Sequence, residues 1–214
     1  MSEIMNIIKD FATGCPCGKE HTTTVRDVVI ESGAVNRVGE ILKRNGFAGK
    51  LLLVADKNTL KASEGIIESL DGFDIEYKIY DEIRVAEMKH VEELEELISG
   101  REISVLSVGT GSVNDPCRLA CARQNKLLCI FGTAPSMDGF ASYSSPIVAN
   151  GFKASYDAKS PEVIIADTKI LAKAPAYLKS AGFGDMIAKF IGICDWEIAN
   201  TLIGTEYTIG AAKQ

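Results

Sequence analysis

The sequence predicts an α/β protein: a mostly parallel sheet with helices on both faces, followed by the start of an all-helical domain. Three observations predict it. Between residues 25 and 167, short β-branched apolar runs alternate with stretches whose apolar residues recur at helical spacing. A Gly-Thr-Gly turn at 109–111 joins one such run to a helix. Beyond residue 170 the strand signals stop and a long helical stretch follows. A boundary near residue 170 divides the chain into a nucleotide-binding unit, 1–170, and the first part of a helical, metal-binding unit, 171–214.

A chain of 214 residues can bury a substantial core. Its formal net charge of -6 argues against a nucleic-acid or anionic-membrane surface. No apolar run approaches the ~20 residues of a membrane span. The opening MSEIMNIIKDF carries acids and no basic leader region, so it does not read as a signal peptide, and a cytoplasmic location is expected. Cys117, Cys121, Cys129 and Cys194 fall inside predicted helices and strands and read as reduced core cysteines. Cys15, Cys17 and His21, in CPCGKEH, are zinc-ligand types. A structural zinc site needs four ligands and no second cluster supplies the rest, which favours a tight turn around Pro16 and Gly18.

The elements follow in order. Residues 25–31 alternate as a strand. Val35, Val38, Ile41 and Leu42 give 34–44 a helical spacing that Gly46 ends. KLLLVA at 50–55 is a buried strand, with Asp56 at its carboxyl end and a helix predicted over 59–70. DIEYKIY at 74–80 is a strand. The acidic stretch 86–99 is an amphipathic helix with Met88, Val91, Leu94 and Ile98 as its core stripe and His90 on the solvent side. The run 103–108 is a strand leading into Gly109 and Gly111. Ser112 and Asn114 are good N-caps for a helix to about Gln124, with Asp115 and Pro116 in its first turn. Residues 127–131 form the next strand, followed by a loop of small residues, Gly132, Thr133, Ala134, Pro135 and Ser136. Residues 138–151 suggest a hairpin or excursion over the site, 161–167 return as a strand, and a long helix begins at Gly184.

The chemistry this pattern suits is anion binding. Glycines let a backbone approach a ligand closely, and the following helix offers free N–H groups and the positive end of its dipole. The hydroxyls of Ser112, Thr133 and Ser136 add donors at the same edge. The third glycine of the usual dinucleotide fingerprint is absent, Asn114 standing in its place. The competing reading is a turn that needs positive φ at Gly109 and Gly111. Asp56 likewise serves either as an acid at an adenine-nucleotide ribose or as an N-cap. Ligands of such sheets bind at the carboxyl ends of strands, and Asp56, 109–115 and 133–136 all fall at such ends.

Taken in order, GTGSVND, TAPSMDGFAS, IIADTKIL and AGFGDMIAKFIGICDWE resemble the sn-glycerol-1-phosphate dehydrogenases. These belong to the superfamily of iron-containing alcohol dehydrogenases, glycerol dehydrogenases and dehydroquinate synthases. The resemblance covers nearly the whole chain, including the CPCGKEH start. It implies a Rossmann-like fold and reduction of dihydroxyacetone phosphate to sn-glycerol 1-phosphate. NADH or NADPH would serve as cofactor, and a divalent metal, zinc or nickel, would polarise the ketone.

By the same resemblance Gly109, Gly111, Ser112, Val113, Asn114 and Asp115 form the pyrophosphate loop. Thr133, Ala134, Pro135 and Ser136, with Ser142, hold the ribose and nicotinamide end. Asp138 is the substrate-side aspartate, Asp185 the first metal ligand, and Asp56 the acid at the adenosine ribose, which favours NAD over NADP. For Asp185 the residues alone suggest an N-cap. The family's other two metal ligands are histidines of the helical domain, whereas this chain has only His21 and His90, both far upstream. The expectation is a nucleotide-binding half with a truncated helical domain, inactive alone and part of a dimeric, small-molecule enzyme. Two alternatives stay open: a non-catalytic NAD-binding module, or a relative with glycerol dehydrogenase or dehydroquinate synthase chemistry.

Overall fold

The computed structural model describes residues 5–6 and 22–207. Cys15, Cys17 and His21 lie outside the described residues. The elements are β1 (Asp27–Glu31), a 3-10 turn (Ala34–Arg37), α1 (Val38–Arg44), β2 (Lys50–Asp56), α2 (Lys57–Ala62), a 3-10 turn (Glu68–Leu70), β3 (Asp74–Tyr80) and α3 (Met88–Ile98). Then come β4 (Ile103–Gly109), α4 (Gly111–Arg123), β5 (Leu128–Gly132), a 3-10 turn (Gly139–Ala141), β6 (Ser144–Ala149), β7 (Phe152–Asp157), β8 (Val163–Asp167), α5 (Thr168–Lys173) and α6 (Ala176–Ile203).

Six strands form one all-parallel sheet in the order β1-β8-β5-β4-β2-β3, and β6 and β7 form a separate antiparallel hairpin. The central strands are apolar at most positions, Ser104 and Ser107 apart in β4, because both faces of the sheet are covered. Successive side chains point to opposite faces. Leu51, Leu53 and Ala55 therefore join Val38, Ile41 and Leu42 of α1, while Leu52 and Val54 join Val91, Leu94 and Ile98 of α3 and Leu119 of α4. Each fully buried Leu, Ile or Val among these stabilises the fold by roughly 1.5–3 kcal/mol.

The strand order fixes where a ligand can enter. From β2 the chain moves outward to β3, crosses back to β4, and then proceeds the other way to β5. The reversal lies between β2 and β4, so their carboxyl ends open the crevice that such sheets use for ligands. Asp56 ends one of these strands and Gly109 the other. Asp167 finishes β8 and ties it down: its carboxylate accepts from the Lys169 amide (2.9 Å), capping α5, and from the Val35 amide (3.2 Å).

Several expectations need correction. The helix expected over 59–70 is only α2, which ends at Ala62 before a positive-φ Gly65 and a 3-10 turn. The segment 34–44 is a 3-10 turn running into α1. His90 is buried, not solvent-facing: its ring packs edge-on against Tyr80 at 5.2 Å, and its Nδ1 accepts from the Glu87 amide (3.2 Å). Burial lowers its pKa. Cys117, Cys121 and Cys129 are buried free thiols, but Cys194 is exposed on α6. The long helix starts at Ala176, well before Gly184. Among the described residues no helix is long and apolar enough to cross a membrane.

Candidate dinucleotide and substrate cleft

The glycine turn works by size. Neither Gly109 nor Gly111 has positive φ, so the strained-turn reading does not hold. A Cβ on Gly109 would lie 2.9 Å from the Val113 side chain, and one on Gly111 would lie 3.1 Å from the Met137 sulfur. Gly109 is therefore favoured by close approach to a stiff neighbour, while at Gly111 a Cβ would press on the flexible end of Met137. Helix α4 also starts earlier than expected. Thr110 is the N-cap, without a side-chain cap, and Ser112 and Asn114 are helical residues. The amides of Val113 and Asn114 donate to the Thr110 carbonyl at 3.0 and 2.8 Å. The amides of Gly111 and Ser112 precede these bonds, at the end of the helix that carries positive potential. Pro116 is the sixth helical residue, so it removes the amide that would have bonded the Ser112 carbonyl.

The side chains of this loop divide into two sets. Val113 and Asn114 are buried behind it, and Asn114 Oδ1 accepts from the Ser107 hydroxyl at 2.6 Å. Gly111, Ser112 and Asp115 face a cleft of about 520 Å³, a volume within the usual range for small-molecule sites. Met137, Asp138, Ser142 and Asp185 line the same cleft. Thr133 holds the two strand ends together, its amide donating to the Gly109 carbonyl at 3.2 Å. Thr133 and Ala134 are buried, and Pro135 and Ser136 are half-buried where α6 crosses them. Asp56 stands apart from this cleft at the end of β2. Its carboxylate caps α2, accepting from the Thr59 amide at 2.8 Å, so the N-cap reading holds at the very position that borders the crevice.

The hairpin forms a further wall. Asn150 and Gly151 have φ of 52° and 80°, the left-handed pair of a two-residue hairpin turn. The hairpin is fastened to the body where the Val148 amide donates to the Ala86 carbonyl at 2.8 Å. It brings Lys153 and Ser155 to the cleft, which Arg84 also lines. Ser142 is partly committed to its own loop: its hydroxyl donates to the Ser144 carbonyl (3.0 Å) and accepts from the Ser144 amide (3.1 Å).

At the floor lies a buried ion pair that motif reading did not single out. Arg118 is 1% exposed and donates to Asp115 Oδ1 at 2.7 Å. Burial pushes the Asp115 carboxyl up to about 6, against the opposing pull of Arg118 and Lys153. In the sequence Arg118 is a cation flanked by small and apolar residues, Cys117, Leu119 and Ala120. Its spacing of three from Asp115 was the available signal.

Asp185 lies in the third turn of α6, not at a helix start, which removes the N-cap reading. Its Oδ2 accepts from the Asp138 amide at 2.9 Å, and Lys189 is paired with the Asp138 carboxylate. Lys189 holds that carboxyl below the usual range. The helix can come this close because Gly182 has no side chain: a Cβ there would lie 2.0 Å from the Pro135 carbonyl oxygen. As a metal centre the arrangement is incomplete. A catalytic site uses about three protein ligands and an open position. Among the described residues no group of three or more His, Cys, Asp or Glu side chains gathers, and the cation beside these carboxylates is Lys189.

Comparisons with known proteins bear on the family and the fold. Residues 29–175 match the family model described as iron-containing alcohol dehydrogenase. The chain is 31% identical over 210 residues to a glycerol-1-phosphate dehydrogenase (NAD(P)+) of Halalkalibacterium halodurans, covering 94% of this chain and 52% of that one. It is 35% identical over 189 residues to a protein of the same name from Methanobrevibacter smithii, covering 88% and 54%. The chain thus spans about half the length of the curated relatives it matches.

Among solved structures, glycerol dehydrogenase from Schizosaccharomyces pombe superposes with a TM-score of 0.70 at 20% identity, over 81% of this chain and 45% of that one. Sulfoacetaldehyde reductase from Bifidobacterium kashiwanohense, solved in complex with NAD+, superposes at 0.68 with 16% identity, over 80% and 52%. These two share the fold. By the family match over residues 29–175, with which its parallel sheet agrees, the chain belongs to the iron-containing alcohol dehydrogenase family.

Proposed function

We propose that this chain is the dinucleotide-binding half of an NAD(P)-dependent sn-glycerol-1-phosphate dehydrogenase, which reduces dihydroxyacetone phosphate. The observation that carries the reading is the meeting of Gly111, Ser112, Asp115, Asp138, Ser142 and Asp185 around one cleft beside the switch point of a parallel sheet. The names of the relatives supply the substrate. The leading amides of α4 receive the pyrophosphate, and Thr133 to Ser136 with Ser142 support the ribose and nicotinamide end. Asp138 orients the triose by accepting from a hydroxyl. Asp56, at the end of β2, faces the adenosine ribose and disfavours a 2′-phosphate by charge.

Hydride transfer to a ketone leaves negative charge on its oxygen, which a divalent zinc or nickel stabilises as a Lewis acid when bound. Asp185 would supply one carboxylate ligand to such an ion. The described donor set is too small for a metal centre, so the roles assigned to these side chains are binding and orientation. The boundary near residue 170, a cytoplasmic setting, a dimeric assembly and a place in phospholipid biosynthesis belong to the same proposal.

Calorimetric titration with NADH tests it. Saturable binding is expected for the chain as it stands and none for Gly111→Val, because a branched side chain meets Met137 and blocks approach to the leading amides. Equal affinity in both would remove the site assignment. In the dialysed chain, added zinc or nickel with dihydroxyacetone phosphate is expected to give no NADH oxidation. Turnover that disappears in Asp185→Ala would show a fuller ligand set than one carboxylate.

A further inference from the structure

The cleft has two walls with different origins. One is the start of α4, with Gly111, Ser112 and Asp115. The other is the loop between β5 and β6, with Asp138 and Ser142. The loop holds only a single 3-10 turn, so its carbonyls draw on several donors. The Ala158 amide donates to the Tyr143 carbonyl and the Ser160 hydroxyl to the Ala141 carbonyl, and the donor that reaches the most of them is Arg118. Its Nη2 donates to the carbonyls of Gly139 (2.8 Å) and Phe140 (3.3 Å), and its Nη1 donates to the Ser144 carbonyl (3.2 Å) as well as to Asp115 (2.7 Å). Three carbonyls spanning residues 139–144 thus accept from one side chain rooted two turns into α4, those of Gly139 and Ser144 also accepting from the amide and hydroxyl of Ser142, respectively. The Nε has no partner among the described residues.

We propose that Arg118 is a positioning residue that braces the 139–144 loop against α4, so that Asp138 and Ser142 face Asp115 at the spacing a bound dinucleotide and substrate require. The proposal rests on the dinucleotide reading above. A buried guanidinium is costly to desolvate, and one carboxylate does not satisfy its five donors. The loop carbonyls take up the capacity of both terminal nitrogens beyond the Asp115 bond, so loop and cation stabilise each other. Lysine cannot replace it. An ammonium is a point donor, whereas the planar fork reaches several acceptors at once. Ligand contacts on one wall are therefore felt on the other through this side chain.

The test compares Arg118→Lys with Arg123→Lys, a control at the exposed end of the same helix. Two readouts are taken: the NADH dissociation constant, and amide hydrogen exchange of residues 139–144 with and without NADH. In Arg118→Lys the dissociation constant is expected to rise about tenfold or more. Exchange of 139–144 in the ligand-free protein is expected to quicken by a similar factor, while the control stays within about twofold. An Arg118→Lys protein that folds and binds NADH within about twofold of the parent overturns the proposal.

Should that variant fail to fold, the parent chain decides. NADH is then expected to protect 139–144 together with the first turn of α4, and protection confined to α4 overturns the brace. If the parent binds no NADH, the dinucleotide reading fails instead. The brace is then judged on the ligand-free exchange alone, where unchanged rates at 139–144 in Arg118→Lys count against it.

Discussion

Helices α4 and α6 both carry residues of the cleft, and they are opposites. In α4 nine consecutive residues, Val113 to Cys121, are buried, charged Asp115 and Arg118 included. In α6, which has 28 residues, Gly182 alone is buried, and Phe183, Met186, Phe190, Ile191 and Leu202 are all more than half exposed. Helix α4 is thus a finished part of the core, and its charged groups Asp115 and Arg118 are paired with each other within it. Helix α6 meets the cleft at one crossing, where Gly182 packs on Pro135 and Asp185 accepts from the Asp138 amide. Half of the proposed site is therefore rigid by packing and half is held by a few contacts. The difference teaches that ligand-binding residues on one cleft can rest on very unequal foundations.

The largest expected effect draws this contrast directly. Leu119→Ala on α4 removes a side chain that is 1% exposed and should cost about 2–5 kcal/mol in urea unfolding. Phe190→Ala on α6, 72% exposed, should change stability by no more than about 0.5 kcal/mol. A large loss for the second would show that α6 is packed in solution after all.

A second test concerns the buried pair of α4. The Asp115 carboxyl is raised from 3.8 to about 6. Between these values the folded state holds the proton that the unfolded state has lost. The group's contribution to stability therefore falls as pH rises through this window. Relative to Asp115→Asn, which does not titrate, the parent should lose up to about 3 kcal/mol between pH 4 and pH 7, a shift of one unit being worth about 1.36 kcal/mol. A stability difference that is flat across this range would mean the carboxyl is not held in a desolvated site.

The smallest expected effect is at the α6 crossing. Gly182→Val places atoms against the Pro135 carbonyl and should cost about 1–3 kcal/mol. Its sharper signature is faster hydrogen exchange at the Asp138 amide, which loses its Asp185 acceptor as the helix moves off. An unchanged Asp138 amide would show that the crossing does not depend on the absence of a side chain.

Legibility in the sequence followed the range of the interactions. The strands at 50–56, 103–109 and 128–132 were readable because strands covered on both faces must be apolar at nearly every position. The expected helix over 59–70 failed at Gly65, whose positive φ of 93° ends a pattern that apolar spacing alone continues. His90 was misplaced because its neighbours in sequence are charged, while its neighbour in space is Tyr80. The glycines at 109 and 111 stood out as a turn motif, but their role is close contact with Val113 and Met137, the latter contributed by another loop.

By itself the sequence determined the α/β class, the strand ends that carry Asp56, Gly109 and Thr133, and the change to helix after Asp167. These depend on local periodicity, turn residues and capping, which act over a few neighbours in the chain. Only the tertiary structure decided that β2 and β4 are neighbours at the reversal of strand order. It also decided that Arg118 reaches across to Gly139, Phe140 and Ser144, and that Gly182 lets α6 bring Asp185 to Asp138. Those hydrogen bonds join residues 21 to 47 positions apart, where only the packing of the whole chain sets distances of a few ångströms.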